Sequence, residues 1–326
     1  MSKLVASSLT LLLLVRLTQQ QKLDPYVCDC GFTDERNMAW TDVWHADFSK
    51  YAVEIGLDSN YAIHSYTTPA KHENTIDRVY TRQNAVINNG ALELTVRNNN
   101  GVITNGALST SRNDFLYGSF RANIQTTDVD GTVAAFYMYK DDENEIDMET
   151  LSYLKNPAKV YVSVKPQIYN ADGSGSEETL RRQEVSFQPS NGFHEYRFDW
   201  FPGRVEYFID GASIGTITTN VPSKPGKIIF NHWSDGNSHY GQGPPDRDAV
   251  LRVANLTVFF NTTSRAEPAC SQMRASCSVA DIVERRIVPA FSLSSNYTSL
   301  FKSASSKVQY SSFTVLMTAL ILITLT

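Results

Sequence analysis

The sequence predicts an all-β protein, a sandwich of two antiparallel sheets, with a row of acidic side chains on one of its strands. Three observations carry that prediction. Between Trp40 and Asn261 apolar and polar residues alternate with no sustained helical period, and turn residues interrupt the alternation at the short intervals of a sandwich or barrel. No internal repeat and no Pro-rich or Gly/Ser-rich linker divides this region, which favours one sandwich over two domains.

The first element in chain order is a processing signal. Lys3 precedes the apolar stretch around Leu11 to Val15, and Gln19, Gln20 and Gln21 follow, the order of charge, apolar core and polar end of a secretory signal peptide over residues 1–21. That stretch is too short to span a bilayer. The β region is expected over residues 22–265. Leu92, Leu94 and Val96 alternate with Glu93, Thr95 and Arg97 just after Asn88-Asn89-Gly90, a hairpin signal. Further strands are expected at Tyr161 to Val164, at Tyr196, Phe198 and Trp200, and at Val205, Tyr207 and Ile209, the last closed by Asp210-Gly211.

Residues 266–312 differ: they hold a cysteine pair, a predicted short helix from Ser278 to Arg286 and a Ser-rich stalk. Residues 313–326 are nearly all apolar, with no basic residue after them and small residues and a polar spacer before them. That is the order of a glycosylphosphatidylinositol attachment signal whose tail is removed, with a tail-anchoring helix as the alternative. Sequons at Asn255, Asn261 and Asn296 agree with passage through a secretory pathway. The expectation is an extracellular, membrane-anchored glycoprotein on a cell surface.

Cysteine and charge usage narrow the class. Cys28 with Cys30 and Cys270 with Cys277 form two close pairs at the ends of the β region, and three disulfide connectivities are possible. A Cys-x-Cys bridge closes a small, strained ring, so bridges running between the ends are favoured. Without Cys-x-x-Cys units or ligand spacing among the six histidines, no metal or other cofactor is expected. A net charge of -5 without Lys/Arg runs excludes a nucleic-acid footprint, and a monomer is expected.

The chemistry lies in Glu145-Ile146-Asp147-Met148-Glu149. On a strand, residues two apart share a face, so Glu145, Asp147 and Glu149 line up while Ile146 and Met148 point the other way. The outer Cα atoms then lie about 13 Å apart. Side chains leaning inward can bring the carboxyls toward the ~5 Å separation of a retaining glycosidase, where one attacks the anomeric carbon and the other donates and later takes a proton. Negative neighbours are expected to raise the pKa of Glu149. A solvated acidic loop or a calcium loop is the competing reading. The interleaved apolar residues, after the run Val133 to Tyr139, argue against a loop, and the calcium version has no Gly at the required place.

This pentapeptide resembles the Glu-x-Asp-x-Glu signature of glycoside hydrolase family 16. Tyr117 to Ala122, His194 to Gly211 and Pro225 to Trp233 are similar to further strands of that family in the same order, and the cysteines and anchor look most like its fungal cell-surface members. The resemblance implies a concanavalin A-like β-jelly roll with Glu145 as nucleophile, Asp147 assisting it and Glu149 as acid/base. Asn144 and Thr150 depart from the pattern of many relatives.

Trp233 is the expected sugar platform, with Asn231 on its face and His232 beside it, while ordinary core is the alternative for Trp233. Core positions are expected for Trp200 and Tyr196, and a structural hydrogen bond for His194. The leading expectation is hydrolysis of β-1,3- or mixed-linkage glucan. The alternatives are a glucan/chitin transglycosylase of the cell wall and, in another class, a non-catalytic carbohydrate-binding surface protein.

Overall fold

The computed structural model describes residues 31–51, 54–262 and 277–278. Two antiparallel sheets dominate it. The seven-stranded sheet runs, edge to edge, Leu180–Val185, Ala158–Lys165, Asn144–Lys155, Val133–Asp141, Lys227–Trp233, Gly106–Thr110 and Tyr61–Ile63. The nine-stranded sheet centres on Leu116–Gln125, flanked by His194–Phe201 and Ala249–Asn261. The only helical elements among the described residues are three single turns of 3-10 helix.

The period-two pattern becomes the core between the sheets. Phe136 of the seven-stranded sheet lies 5.2 Å from the Phe230 ring beside it and 5.3 Å from Phe198 of the facing sheet, so one side chain joins both layers. Leu92, Leu94 and Val96 are fully buried, as their alternation predicted. The preceding turn places Asn89 and Gly90 at positive φ (47° and 74°), the primed geometry that matches strand twist. Asp210 and Gly211 repeat it at 49° and 77°. Trp200 and Tyr196 are core residues, and His194 Nδ1 pairs with Asp210 at 2.7 Å.

A smaller sheet lies apart from this core. Phe32–Thr33 pairs with Ala39–Trp40 and, in parallel, with Cys277–Ser278. Phe32, Trp40 and Cys277 pack with Phe201 and Phe259 of the nine-stranded sheet, away from the inter-sheet core. Cys277 is disulfide-bonded, and its N–H donates to the Gly31 carbonyl at 3.1 Å. Cys28, Cys30, Cys270 and Asn296 lie outside the described residues, as do the signal peptide, the Ser-rich stalk and residues 313–326. Ser278 is in a strand rather than at the start of a helix, because its backbone pairs with Thr33; the rest of that predicted helix lies outside the described residues. Asn255 and Asn261 sit half-buried on the strand Ala249–Asn261, on the face away from the core residues Leu256 and Val258.

Candidate active site

The acidic pentapeptide lies on the strand Asn144–Lys155, held on both sides by long antiparallel neighbours. Ile146 and Met148 are buried in the core. The alternation therefore delivers Glu145, Asp147 and Glu149 to the opposite face, as expected, and all three line one cleft. Asn144, the departure from the family pattern, closes the hairpin turn by donating to Asp141 at 2.7 Å.

The cleft consists of two adjoining cavities, of about 520 Å³ and 490 Å³. Glu145, Lys165, Arg78 and Asn231 line both, so the first acid stands where they meet. Asp147, Glu149, Trp233 and Tyr240 face the first alone, and Tyr66, Tyr80 and Tyr139 the second. The hairpin of Thr67–Thr68 with Arg78–Val79 borders both cavities.

Each acid has a different partner. Lys165 stands directly across the strand pair from Glu145, with Nζ 3.3 Å from Oε1. Burial works against the Lys165 charge, but Asp147, Glu145 and Glu149 outweigh it and raise its pKa. Asp147 accepts from Ser163 Oγ at 2.9 Å and shares a hydrogen bond with Glu145; burial, then the Glu145 charge, push its pKa well above the carboxylate range. Glu149 accepts from the Tyr240 hydroxyl. Its pKa is raised too, but chiefly by burial; the Glu145 charge adds to the rise, while the Tyr240 hydrogen bond and the Lys165 charge oppose it. The expected direction holds, with desolvation ahead of the negative neighbours as its cause.

Asn231 and Trp233 share the face of the acids, since Asn231 and Glu149 both pair with Ala135 across the neighbouring strand. Asn231 Nδ2 donates to Tyr80 at 3.1 Å, and its Oδ1 is buried with no hydrogen-bond partner. Trp233 is 9% exposed and carries the Arg78 guanidinium 4.9 Å above its ring, so the expected open platform is covered by a cation. His232 corrects the expectation. Its ring points to the other face, bonded to the Leu94 carbonyl at 2.8 Å and to Thr132 Oγ1 at 3.0 Å, and burial lowers its pKa to about 4. A residue between two cleft-facing residues of one strand must face away from the cleft.

Lys165, Tyr240 and Arg78 were not anticipated. Lys165 had a readable signal, since Tyr161, Ser163 and Lys165 alternate with buried Val160, Val162 and Val164. Tyr240 comes from an irregular segment and Arg78 from a two-residue strand, too short to show a period. Tyr240 is aimed by a tight loop: a Cβ on Gly243 would collide with Ser234 and with the Gly131 backbone, and Tyr240 N–H donates to Asn237 at 3.2 Å. Among the described residues no group of three or more His, Cys, Asp or Glu side chains could hold a metal ion.

The two-sheet sandwich with a strand of carboxylates opening into a cleft is the architecture that the resemblance implied, a β-jelly roll. Residues 72–249, more than half the chain, match the family model of glycosyl hydrolases family 16, and the chain belongs to that family. It is 32% identical over 152 residues to a beta-glucanase of Paenibacillus polymyxa, covering 45% of this chain and 60% of the relative. It is 32% identical over 165 residues to a xylanase/beta-glucanase of Ruminococcus flavefaciens, covering 47% of this chain and 20% of the relative. The chain thus spans at most about three fifths of these curated relatives. Among solved structures, the Bacillus licheniformis beta-glucanase superposes with a TM-score of 0.55 at 20% identity over 66% of this chain and 97% of that one. The endo-beta-1,3-glucanase of Pyrococcus furiosus gives 0.54 at 20% identity over 68% and 95%. At that identity both speak for the fold, a jelly-roll sandwich.

Proposed function

We propose that this protein is a retaining glycosidase that hydrolyses β-1,3- or mixed-linkage β-glucan by double displacement. The observation that carries the reading is the row Glu145, Asp147 and Glu149 in one cleft, with a cation on the first acid and a buried, pKa-raised carboxyl at the last. Glu145, paired with Lys165, attacks the anomeric carbon as the glycosidic bond breaks. Glu149, held protonated by burial, gives its proton to the departing oxygen. In the second half-reaction Glu149 takes a proton from water, whose oxygen displaces Glu145. Asp147 hydrogen-bonds the nucleophile throughout. The unpartnered Asn231 Oδ1 is an acceptor for a sugar hydroxyl. Family membership and the beta-glucanase relatives support the substrate class.

The test incubates purified protein with a panel of β-glucans and chitin, with and without labelled oligosaccharide acceptors. Release of shorter β-glucans with retained anomeric configuration is expected. Label entering polymer in place of hydrolysis would mark a transglycosylase, and binding without bond cleavage would mark the non-catalytic alternative.

The cell-surface setting is part of the same proposal. Residues 313–326 are read as an attachment signal for a glycosylphosphatidylinositol anchor, as in fungal surface members of the family, and the sequons as glycosylation sites. A phospholipase specific for that anchor should release the protein from host membranes; protein that stays bound and retains residues 321–326 by mass spectrometry would refute it. Disulfides joining the two ends are supported by the bonded Cys277 lying beside Phe32. Peptide mapping that joins Cys28 to Cys30 would exclude them.

A further inference from the structure

Lys165 belongs to no part of the acidic signature, yet it is the cation placed directly on it. It lines both cavities, and its Nζ lies 3.3 Å from Glu145 Oε1 while its side chain stays 35% exposed. The charges around it are unequal. The acidic strand presents Glu145, Asp147 and Glu149; the edge strand presents Arg182, whose guanidinium lies over Tyr161. The covering hairpin contributes Lys71, His72 and Arg78, and the loop beyond Trp233 contributes Asp235, His239 and Tyr240. Tyr137, Tyr139, Asp142, His64 and Lys227 close the far cavity. Among the described residues Lys165 is the one cation in this set within ion-pair distance of a carboxylate of the row.

We propose, on the double-displacement reading above, that Lys165 is a positioning residue that holds the Glu145 carboxylate in the free enzyme and turns its charge onto Glu149 once Glu145 is esterified. The chemistry forces the handover. When the bond between Glu145 and the anomeric carbon forms, the leaving oxygen departs with the proton of Glu149, and the Glu145 negative charge disappears into the ester. Lys165 then loses its nearest counterion, and Asp147 and Glu149 remain. One influence that raised the Glu149 pKa, the Glu145 charge, is gone, while the influence of Lys165 that lowers it is no longer shared. Glu149 is thereby favoured as a carboxylate in the half-reaction where it must accept a proton from water.

The test uses Lys165→Met, which keeps length without charge, and Lys165→Arg, which keeps charge, both compared with wild type for thermal midpoint. On an activated aryl glycoside, whose departure needs no acid, the removal of the glycosyl group should slow about tenfold in Lys165→Met near neutral pH, from the loss of one nearby charge. It should recover as pH rises, and the glycosyl-enzyme should accumulate. Lys165→Arg should stay near wild type. Carbon-13 titration of labelled glutamates should show Glu149 ionising at higher pH in Lys165→Met than in wild type, with a larger gap after trapping with a 2-fluoro glycoside. Equal rates in wild type and Lys165→Met, or a loss with no pH dependence and no change in the Glu149 titration, would overturn the proposal. Failure of wild type to form any trapped intermediate would instead sink the double-displacement reading, and the titration of the untrapped protein would still decide whether Lys165 acts on Glu149.

Discussion

Two charge clusters in this molecule are built in opposite ways. On the nine-stranded sheet, away from the inter-sheet core, Asp34, Glu35, Asp199 and Glu206 meet Arg36, Arg121, Arg197 and Arg204, four carboxylates against four guanidinium groups. In the cleft, Glu145, Asp147 and Glu149 meet one directly paired ammonium, Lys165. The titration directions follow the balance. Burial tends to raise Glu35 and Glu206, but Arg121 and Arg197 hold the first below its ordinary value, and Arg204 and Arg36 the second. Asp147 and Glu149 go up, because burial finds too little positive charge to oppose it. A balanced network ties the Asp34–Arg36 segment to the sheet. An unbalanced one favours the protonated carboxyl, which general acid catalysis needs.

The largest expected effect tests whether the imbalance is chemical. Glu145→Gln should lose turnover by on the order of 10⁴-fold or more, since the nucleophile itself is removed. Glu149→Ala should lose about 10²- to 10⁴-fold on glucan but little in the first step on an activated aryl glycoside. Added azide should then restore turnover and give the β-glycosyl azide, as it needs no base. An α-glycosyl azide from Glu149→Ala would exchange the two roles, and near-native turnover by Glu145→Gln would end the assignment.

Next comes stability, where the two clusters should respond with opposite sign. Arg197→Met leaves Asp199, fully buried, with Arg36 as its remaining cation and should cost about 1–3 kcal/mol while activity per folded molecule is kept. Asp147→Asn removes a reluctant charge and should stabilise the protein by about 1 kcal/mol at neutral pH while lowering activity. The pH slopes differ accordingly. A carboxyl raised by folding binds its proton more tightly in the folded state, so its contribution falls as pH rises from the ordinary carboxylate range through its folded value. Glu35, which folding lowers, contributes above that range and loses its contribution as pH falls. Thermal midpoints from about pH 3 to 8 should show the Asp147→Asn gain growing with pH and the Glu35→Gln loss vanishing toward acid. Parallel slopes would erase the distinction between the clusters.

The sequence made one of these clusters visible and hid the other for the same reason. Glu145, Asp147 and Glu149 stand out because Ile146 and Met148 separate them, and that alternation declares both a strand and its faces. Arg121 and Arg197 alternate in the same way with core residues, Ala122 and Phe198 among them, so they read as solvated outer positions. Only the covering segment from Asp34 to Arg36 makes them buried, and a contact between positions so far apart in the chain leaves no period. His232 was misplaced by nearness to Trp233, although alternation between Asn231 and Trp233 points it to the core. Tyr240 reaches the cleft from an irregular segment and Arg78 from a two-residue strand, where spacing carries no direction.

The smallest expected effect separates the two partners of the acidic row. Tyr240 and Lys165 both lower the Glu149 pKa against burial, one through a hydrogen bond and the other through charge at longer range. Tyr240→Phe keeps the ring that stacks beside Trp233, at 6.2 Å and 16° between planes, and removes only the donor. The ionised form of Glu149 loses that bond, so its pKa should rise further, by about one pH unit for a hydrogen bond to a charged group. The protonated form, which the first half-reaction uses, should persist to higher pH. The alkaline limb of kcat/KM on glucan should therefore move upward, while its plateau falls only a fewfold through looser aim of the carboxyl. Lys165→Met should move the limb the same way but also cause the glycosyl-enzyme to accumulate, because the Lys165 charge matters most after Glu145 is esterified. The double variant then decides. Shifts that add would mean two independent influences on one carboxyl, whereas a double variant no further shifted than Tyr240→Phe would mean that Lys165 acts through the Tyr240 contact and that the handover of charge is unnecessary.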